Sequence, residues 1–289
     1  MRSLRDMKTI HVEITNACDL ECSNCTRFVG HHRKPFFMDV ETVEKALRSL
    51  EGFRGNIGIM GGEPTIHPRF LDICRLVQEL VPNKEQRALW TNGLKYQEYK
   101  DVIEETFLID KIIYNDHLDD TEVHQPLLIA AKDVVEDKDL MWELIDKCWI
   151  NDRWAASITP KGGFFCEVAA AQDHLFDGPG GFEIEQSWWD RDVEGCREQI
   201  NRYCQNCSAA VPMPTFENAE YSICSKDLVS ESVAKKLEKS GSRRYRKGNT
   251  RLFTQKFSVA EIEENKKTWM PWSHRPFKQF GPDIVVNER

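Results

Sequence analysis

At 289 residues, 40% hydrophobic and 30% charged, the chain holds enough apolar material for one large domain or a domain with an appendage, which excludes wholesale disorder. Its 39 basic and 47 acidic residues leave a formal charge of −8, which argues against a nonspecific nucleic-acid coat, because such a protein needs a positive field to displace phosphate counterions. No apolar run reaches the roughly 18 residues of a membrane span, and no apolar stretch follows the basic residues near the start, so neither a span nor a signal peptide is expected.

From Thr9 to Thr15, Ile10, Val12 and Ile14 alternate with His11 and Glu13, the period of a strand. A cysteine-rich loop follows. Asp39 reads as the N-cap of a helix with Val40, Val43, Leu47 and Leu50 on its apolar face. Asn56 to Met60 is a second strand, running into Gly61-Gly62-Glu63-Pro64. Pro68 suits the first turn of a helix whose buried side is Phe70, Cys74, Val77 and Val81. Arg87 to Trp90 is a third strand, ending in Thr91-Asn92-Gly93, with a helix over 96–105. Asp110 to Tyr114 is a fourth, ending in Asn115-Asp116-His117. A strand is expected inside 125–135 and a helix over 139–147. This alternation predicts an α/β fold with a parallel sheet, crossover helices and a site at the C-terminal strand ends.

The pattern changes near Cys148. Residues 155–168 read as a β-hairpin around Gly162-Gly163, and Trp188-Trp189 as packed beneath a loop. Beyond Ser225 the chain is highly charged. Leu228, Val229, Val233 and Leu237 fit one amphipathic helix, and Arg243, Arg244, Arg246 and Lys247 form a basic run. The expected division is 1–147, 148–224 and 225–289.

The ten cysteines carry most of the chemical information. In a long chain with no secretory signal, clustered thiols point to metal rather than disulfides, and to a cytoplasmic setting. Cys18, Cys22 and Cys25 stand in a CxxxCxxC loop directly after the first strand. Three thiolates suit a [4Fe–4S] cube with one open iron; a structural zinc loop is the alternative and normally has a fourth ligand. Cys204-Gln205-Asn206-Cys207 supplies a close pair, with Cys148 and Cys166 flanking the hairpin. These four form a complete second ligand set, with Cys196 able to replace Cys148 and zinc again the alternative. Cys74, on a helical apolar face, reads as core.

The cysteine loop and the glycine-rich turn together resemble the radical S-adenosylmethionine (SAM) superfamily. Cys18, Cys22 and Cys25 match its cluster motif, although Asn24 stands where an aromatic residue often precedes the last cysteine. Gly61, Gly62, Glu63 and Pro64 match its GGEP motif, which in that family holds the methionine amino group. Thr91 and Asn92 resemble the segment near SAM after the third strand. Asn115, Asp116 and His117 lie where the next strand contributes ribose or substrate contacts. The later cysteines resemble a reduced SPASM, or twitch-like, auxiliary domain. The resemblance implies a partial (β/α)6 TIM-like barrel with a small C-terminal cysteine-rich hairpin domain. It also implies two [4Fe–4S] clusters, SAM, and a flavodoxin or ferredoxin-like electron donor.

The implied activity is reductive SAM cleavage to a 5′-deoxyadenosyl radical, then hydrogen abstraction from a substrate, giving dehydrogenation or epimerisation. Cys196 and Cys224 are candidate hydrogen donors and His117 a candidate acid–base group. The few residues before the first strand leave no room for a peptide-recognition domain, which favours a sugar, aminocyclitol or nucleotide-linked sugar over a peptide substrate. Arg153, Trp154, Trp188 and Trp189 are candidate substrate contacts. His31-His32-Arg33-Lys34 is a candidate anion site or a solvated loop. The competing class is a non-enzymatic metal-binding interaction module whose basic run contacts a protein or an acidic polymer.

Overall fold

The computed structural model describes residues 1–114, 125–150, 155–213 and 226–269, with the backbone of 278–279. Strand β1 (Thr9–Thr15) is central and buried along its whole length. Its aliphatic residues Ile10, Val12 and Ile14 join the main core, leaving His11, Glu13 and Thr15 on the opposite face. Helix α1 (Val40–Ser49) starts where Asp39 Oδ1 accepts the Thr42 N–H at 2.7 Å. It buries Val43, Ala46 and Leu47 in the same core. Each large aliphatic side chain so buried is worth about 1.5–3 kcal/mol.

The chain then repeats the strand–helix unit through β2 (Asn56–Gly61), α2 (Phe70–Leu80), β3 (Arg87–Thr91), α3 (Lys100–Thr106) and β4 (Ile112–Tyr114). Strands β1 to β4 pair in parallel and in chain order. Cys74 is 1% exposed on the apolar side of α2, as its periodicity implies.

Past β4 the architecture departs from a consecutive half-barrel. The strand expected inside 125–135 is absent. Leu127 to Ala130 are buried without strand pairing, followed by α4 (Ala131–Val134) and α5 (Lys138–Asp146). The backbone there pairs with the tail: the Ala130 N–H donates to Ser230 Oγ at 2.9 Å and the Ser230 N–H to Leu128 O at 3.1 Å. Strand β5 (Ala156–Thr159) returns beside β1 in parallel and forms the expected hairpin with β6 (Gly162–Phe164). Lys278–Gln279 (β9 in the sheet, after β7 and β8 below) pairs antiparallel with β4. The described residues thus give an α/β fold of the partial-barrel kind with five parallel strands, rather than six in series. They do not set off a separate cysteine-rich domain, because the hairpin belongs to the main sheet. Trp188 is 1% exposed and seated on this hairpin, where a Cβ on Gly163 would lie 2.5 Å from its ring.

Helix α6 (Glu167–Leu175) leaves Cys166, and α7 (Arg197–Tyr203) runs into the Cys204–Cys207 turn. In the tail, Leu228 and Val229 belong to β7 (Asp227–Val229), which pairs with β8 (Thr250–Leu252), so they do not extend the helix expected there. Val233 and Leu237 form the buried side of α8 (Glu231–Ser240), followed by α9 (Arg243–Arg246) and α10 (Val259–Lys266). No helix among the described residues is long and apolar enough to cross a membrane.

Candidate active site

Three parallel strand ends supply the first site. The loop after β1 brings Cys18, Cys22 and Cys25, the turn after β2 brings Gly61 and Gly62, and β3 ends in Thr91 and Asn92. All seven line one cavity of about 70 Å³, with Arg27, Met60 and Trp90 also in its wall. The loop and turn are laced together: the Gly62 N–H donates to Thr15 O at 2.8 Å and the Glu63 N–H to Ala17 O at 2.7 Å. A Cβ on Gly62 would lie 2.1 Å from that Ala17 oxygen, so only glycine allows this approach. Gly62→Ala is therefore expected to destabilise the protein by roughly 1–3 kcal/mol through overpacking. Urea unfolding checks this, and an unchanged midpoint would refute the close approach.

Glu63 is fully buried and engaged inside the protein. Its Oε1 accepts from Thr65 N at 3.0 Å, Thr65 Oγ1 at 2.6 Å and Thr91 Oγ1 at 2.8 Å, and its Oε2 accepts from Asn92 N at 2.6 Å. Burial pushes its carboxyl up, against these four donors. The residue ties the end of β2 to the end of β3, and Asn92 Nδ2 in turn reaches Asp19 Oδ1 at 2.7 Å in the cysteine loop.

Asn24, the departure from the family's usual aromatic, has a structural explanation. Its φ is 51°, a left-handed conformation that asparagine adopts more readily than an aromatic residue. Its Oδ1 accepts the Leu228 N–H at 3.2 Å and its own N–H donates to Asp227 Oδ1, so the residue joins the cysteine loop to β7.

A second cavity is lined by Cys148 after α5, Cys166 at the end of the hairpin, and Cys204 and Cys207 after α7, with otherwise largely apolar walls. Burial pushes all three of the latter thiols up, Cys166 to about 12, and neighbouring thiols raise them further. Burial likewise raises Cys18 and Cys25. Metal-free, these thiols stay protonated near neutral pH, so any metal they take must displace protons.

The nine described cysteines form no disulfide, and among the described residues no three Cys, His, Asp or Glu side chains are arranged to hold a single ion. A cube holds its thiolates farther apart than one ion does, and the donor chemistry of both sets is all sulfur, which suits it. The second cavity holds only about 30 Å³, so its side chains must turn outward to admit a polynuclear group.

Between the two sets lies a buried polar network that sequence reasoning did not single out. Arg27, 3% exposed, donates to Glu167 Oε2 at 2.7 Å and pairs with Glu13 Oε1 at 3.1 Å. Ser157 Oγ donates to Glu13 at 2.6 Å, and His11 Nδ1 is 3.3 Å from Glu167 Oε2. Burial pushes Glu167 up, but the Arg27 guanidinium and His11 outweigh it and the carboxyl falls to about 2. For Glu13 burial wins over Arg27, and its pKa rises. Burial lowers His11 despite Glu167, which favours the neutral ring. The overlooked signal was in β1 itself: a strand of a parallel sheet covered on both faces should be apolar throughout, and His11 and Glu13 break that rule.

The other candidates fall elsewhere. Cys196 is buried in the main core and lines neither thiol cavity. Trp188 is core, and Trp189 donates to Ser49 O at 3.1 Å beside α1. Asn115, Asp116, His117, Arg153, Trp154 and Cys224 lie outside the described residues.

Residues 12–111 match the model of the Radical SAM superfamily. GTP 3′,8-cyclase from Alkaliphilus metalliredigens (strain QYMF) is 25% identical over 107 residues, 36% of this chain and 33% of that protein. GTP 3′,8-cyclase from Actinobacillus pleuropneumoniae serotype 3 (strain JL03) is 26% identical over 113 residues, 38% and 33% of the two chains. The match therefore spans a third of each relative's length. Among solved structures, BtrN in complex with AdoMet and 2-DOIA has a TM-score of 0.44 at 18% identity, over 70% of this chain and 92% of that one. SuiB from Streptococcus suis bound to S-adenosylmethionine has a TM-score of 0.30 at 20% identity, over 36% and 23%. Neither likeness is close enough to transfer a residue's role. The segment that matches the Radical SAM model, residues 12–111, is the one that carries the CxxxCxxC loop and the glycine turn on adjacent strand ends.

Proposed function

We propose that the chain is a radical SAM oxidoreductase acting on a small polar metabolite, a sugar, aminocyclitol or nucleotide-linked sugar, at a carbon bearing a hydroxyl. The net change is loss of a hydrogen atom, a proton and an electron, turning the carbinol into a carbonyl. The observation that carries this reading is the convergence of Cys18, Cys22, Cys25, Gly61, Gly62, Thr91 and Asn92 on one cavity. Cys18, Cys22 and Cys25 would hold one [4Fe–4S] cluster with SAM at its open iron, and Cys148, Cys166, Cys204 and Cys207 a second. When bound, the first cluster supplies the electron for SAM cleavage and the second takes one from the substrate. A flavodoxin or ferredoxin-like protein would be the reductant.

The chain's own part is positioning and proton handling. Arg27 lines the first cavity and pairs with Glu167, the residue after Cys166, so the polar network spans the gap between the thiol sets. Arg27 and Glu13 offer a donor and an acceptor for substrate hydroxyls. His11 Nδ1 stands 3.3 Å from both Glu167 Oε2 and Arg27 Nη2; in the tautomer that donates from Nδ1 to Glu167, Nε2 is a lone pair, and this atom has no partner among the described residues. We assign it the carbinol proton. His11→Ala should lower the rate of substrate oxidation by about 10²–10⁴-fold while 5′-deoxyadenosine still forms. Equal loss of both products would instead make His11 structural.

We take dehydrogenation over epimerisation: of the two candidate hydrogen donors, Cys196 sits in the main core and lines neither thiol cavity, and Cys224 lies outside the described residues. Anaerobic turnover of candidate sugars in deuterated water, read by mass spectrometry, separates the two. Loss of two mass units supports oxidation. Deuterium uptake at unchanged formula supports epimerisation, and a modified peptide would reject the substrate class.

A further inference from the structure

A cleft of about 720 Å³ lies between the segment after the cysteine loop, the C-terminal end of α6, the end of α7, and α8. Its volume is that of a site for a nucleotide-sized ligand. Five cationic side chains line it: Arg33, Lys34, Arg202, Lys236 and Lys239. Arg202 is held by Glu198 at 2.6 Å, whereas Arg33, Lys34, Lys236 and Lys239 have no carboxylate partner among the described residues.

Two carboxylates also line the cleft, and neither neutralises these cations. Asp173 is fully buried, accepts from Tyr203 Oη at 2.6 Å and Gly180 N at 3.0 Å, and pairs with Lys161 at 2.8 Å. Asp177 is exposed, 3.9 Å from the same lysine.

Two further features distinguish the cleft from a solvated basic surface. Lys236 is half-buried, donates to Asn206 Oδ1 at 2.9 Å and lies over the Phe176 ring at 5.5 Å. Burial, together with Lys132, lowers its pKa against the opposing pull of Asp133. Gln172 is 3% exposed, and its Nε2 has no partner among the described residues; the same holds for the buried Nδ1 of His174. Both residues line the cleft, and Gln172 also lines the late thiol cavity. Buried polar atoms are rarely left unpaired unless something outside the chain completes them.

We propose that this cleft binds a phosphorylated small molecule, its phosphates held by Arg33, Lys34, Lys236 and Lys239 and its neutral portion by Gln172 and His174. The ligand is either a free nucleotide or the phosphate-bearing end of the substrate. The inference does not depend on the radical chemistry, because binding is read without turnover.

Calorimetric titration of the full-length protein with ADP tests it, pyrophosphate serving as competitor and SAM binding as control. ADP should bind, pyrophosphate should displace it, and Lys236→Gln/Lys239→Gln should weaken it tenfold or more with SAM binding unchanged. Lys239→Gln alone, an exposed position, gives the same readout, at least threefold, if the double variant does not fold. Competition between ADP and an oxidisable substrate would identify the substrate's own phosphates as the occupant; additive binding would identify a free nucleotide. Absence of ADP binding, equal binding by the variants, or tighter binding of an unstructured acidic polymer than of ADP would overturn the proposal.

Discussion

Asp227→Ala should cost about 3–5 kcal/mol of stability and loosen the cysteine loop, although residue 227 is 202 positions beyond Cys25. The Asp227 side chain is 1% exposed and touches three partners. Its Oδ2 accepts from His31 Nε2 at 2.9 Å and pairs with Arg244 Nε, and its Oδ1 accepts the Asn24 N–H. Arg244, itself 3% exposed, passes on to Glu21 O at 2.7 Å inside the cysteine loop. Removing the aspartate leaves a buried guanidinium and an unpaired backbone N–H, and that uncompensated charge sets the size of the loss. Asp227→Asn, which keeps shape and one acceptor, should cost less than the alanine change. Urea unfolding measures the first effect. Faster alkylation of Cys22 than in the wild-type protein measures the second. A midpoint unchanged in Asp227→Ala would mean the tail rests on the loop without holding it.

That contact also marks where the sequence was readable. The strands and helices from β1 to β4 follow from local signals: period-two alternation in Thr9–Thr15, the Asp39 cap, and the apolar stripe of Phe70, Cys74 and Val77. The first site was legible for the same reason, since its cysteines and glycines follow directly on those strands. The tail was not. A basic run such as Arg243-Arg244-Tyr245-Arg246-Lys247 is compatible with solvent or a partner, and only tertiary structure pairs Arg243 and Lys247 with Glu21 and buries Arg244. Leu228 and Val229 read as helix because their spacing to Val233 and Leu237 fits one, yet β8 claims them as strand, a pairing with no local trace. The expected strand in 125–135 failed similarly. Its apolar residues are buried, but their backbone bonds go to Ser230. The polar network around Arg27 joins β1, the cysteine loop, β5 and α6, so it is visible only once the hairpin is seated beside β1.

Cys22→Ser and Cys204→Ser should separate SAM cleavage from substrate oxidation. Reconstituted wild-type protein is expected to carry about eight iron and eight sulfide per chain, and each variant about four. Cys22→Ser should form no 5′-deoxyadenosine. Cys204→Ser should still form it but yield no oxidised product. The separation is expected because the two cavities share no lining residue and are built from different elements. The first rests on the loop after β1 with the ends of β2 and β3; the second rests on the ends of α5, β6 and α7. Changes at sites without shared partners act independently, so a defect in one set should leave the other intact. A short link between them is the Arg27–Glu167 pair at 2.7 Å, and neither variant removes it. If wild-type protein takes up zinc and no iron, both cluster assignments fail and the interaction-module reading gains. If it carries about four iron, unchanged in Cys204→Ser, only the second set is refuted, and the electron from the substrate must leave by another route.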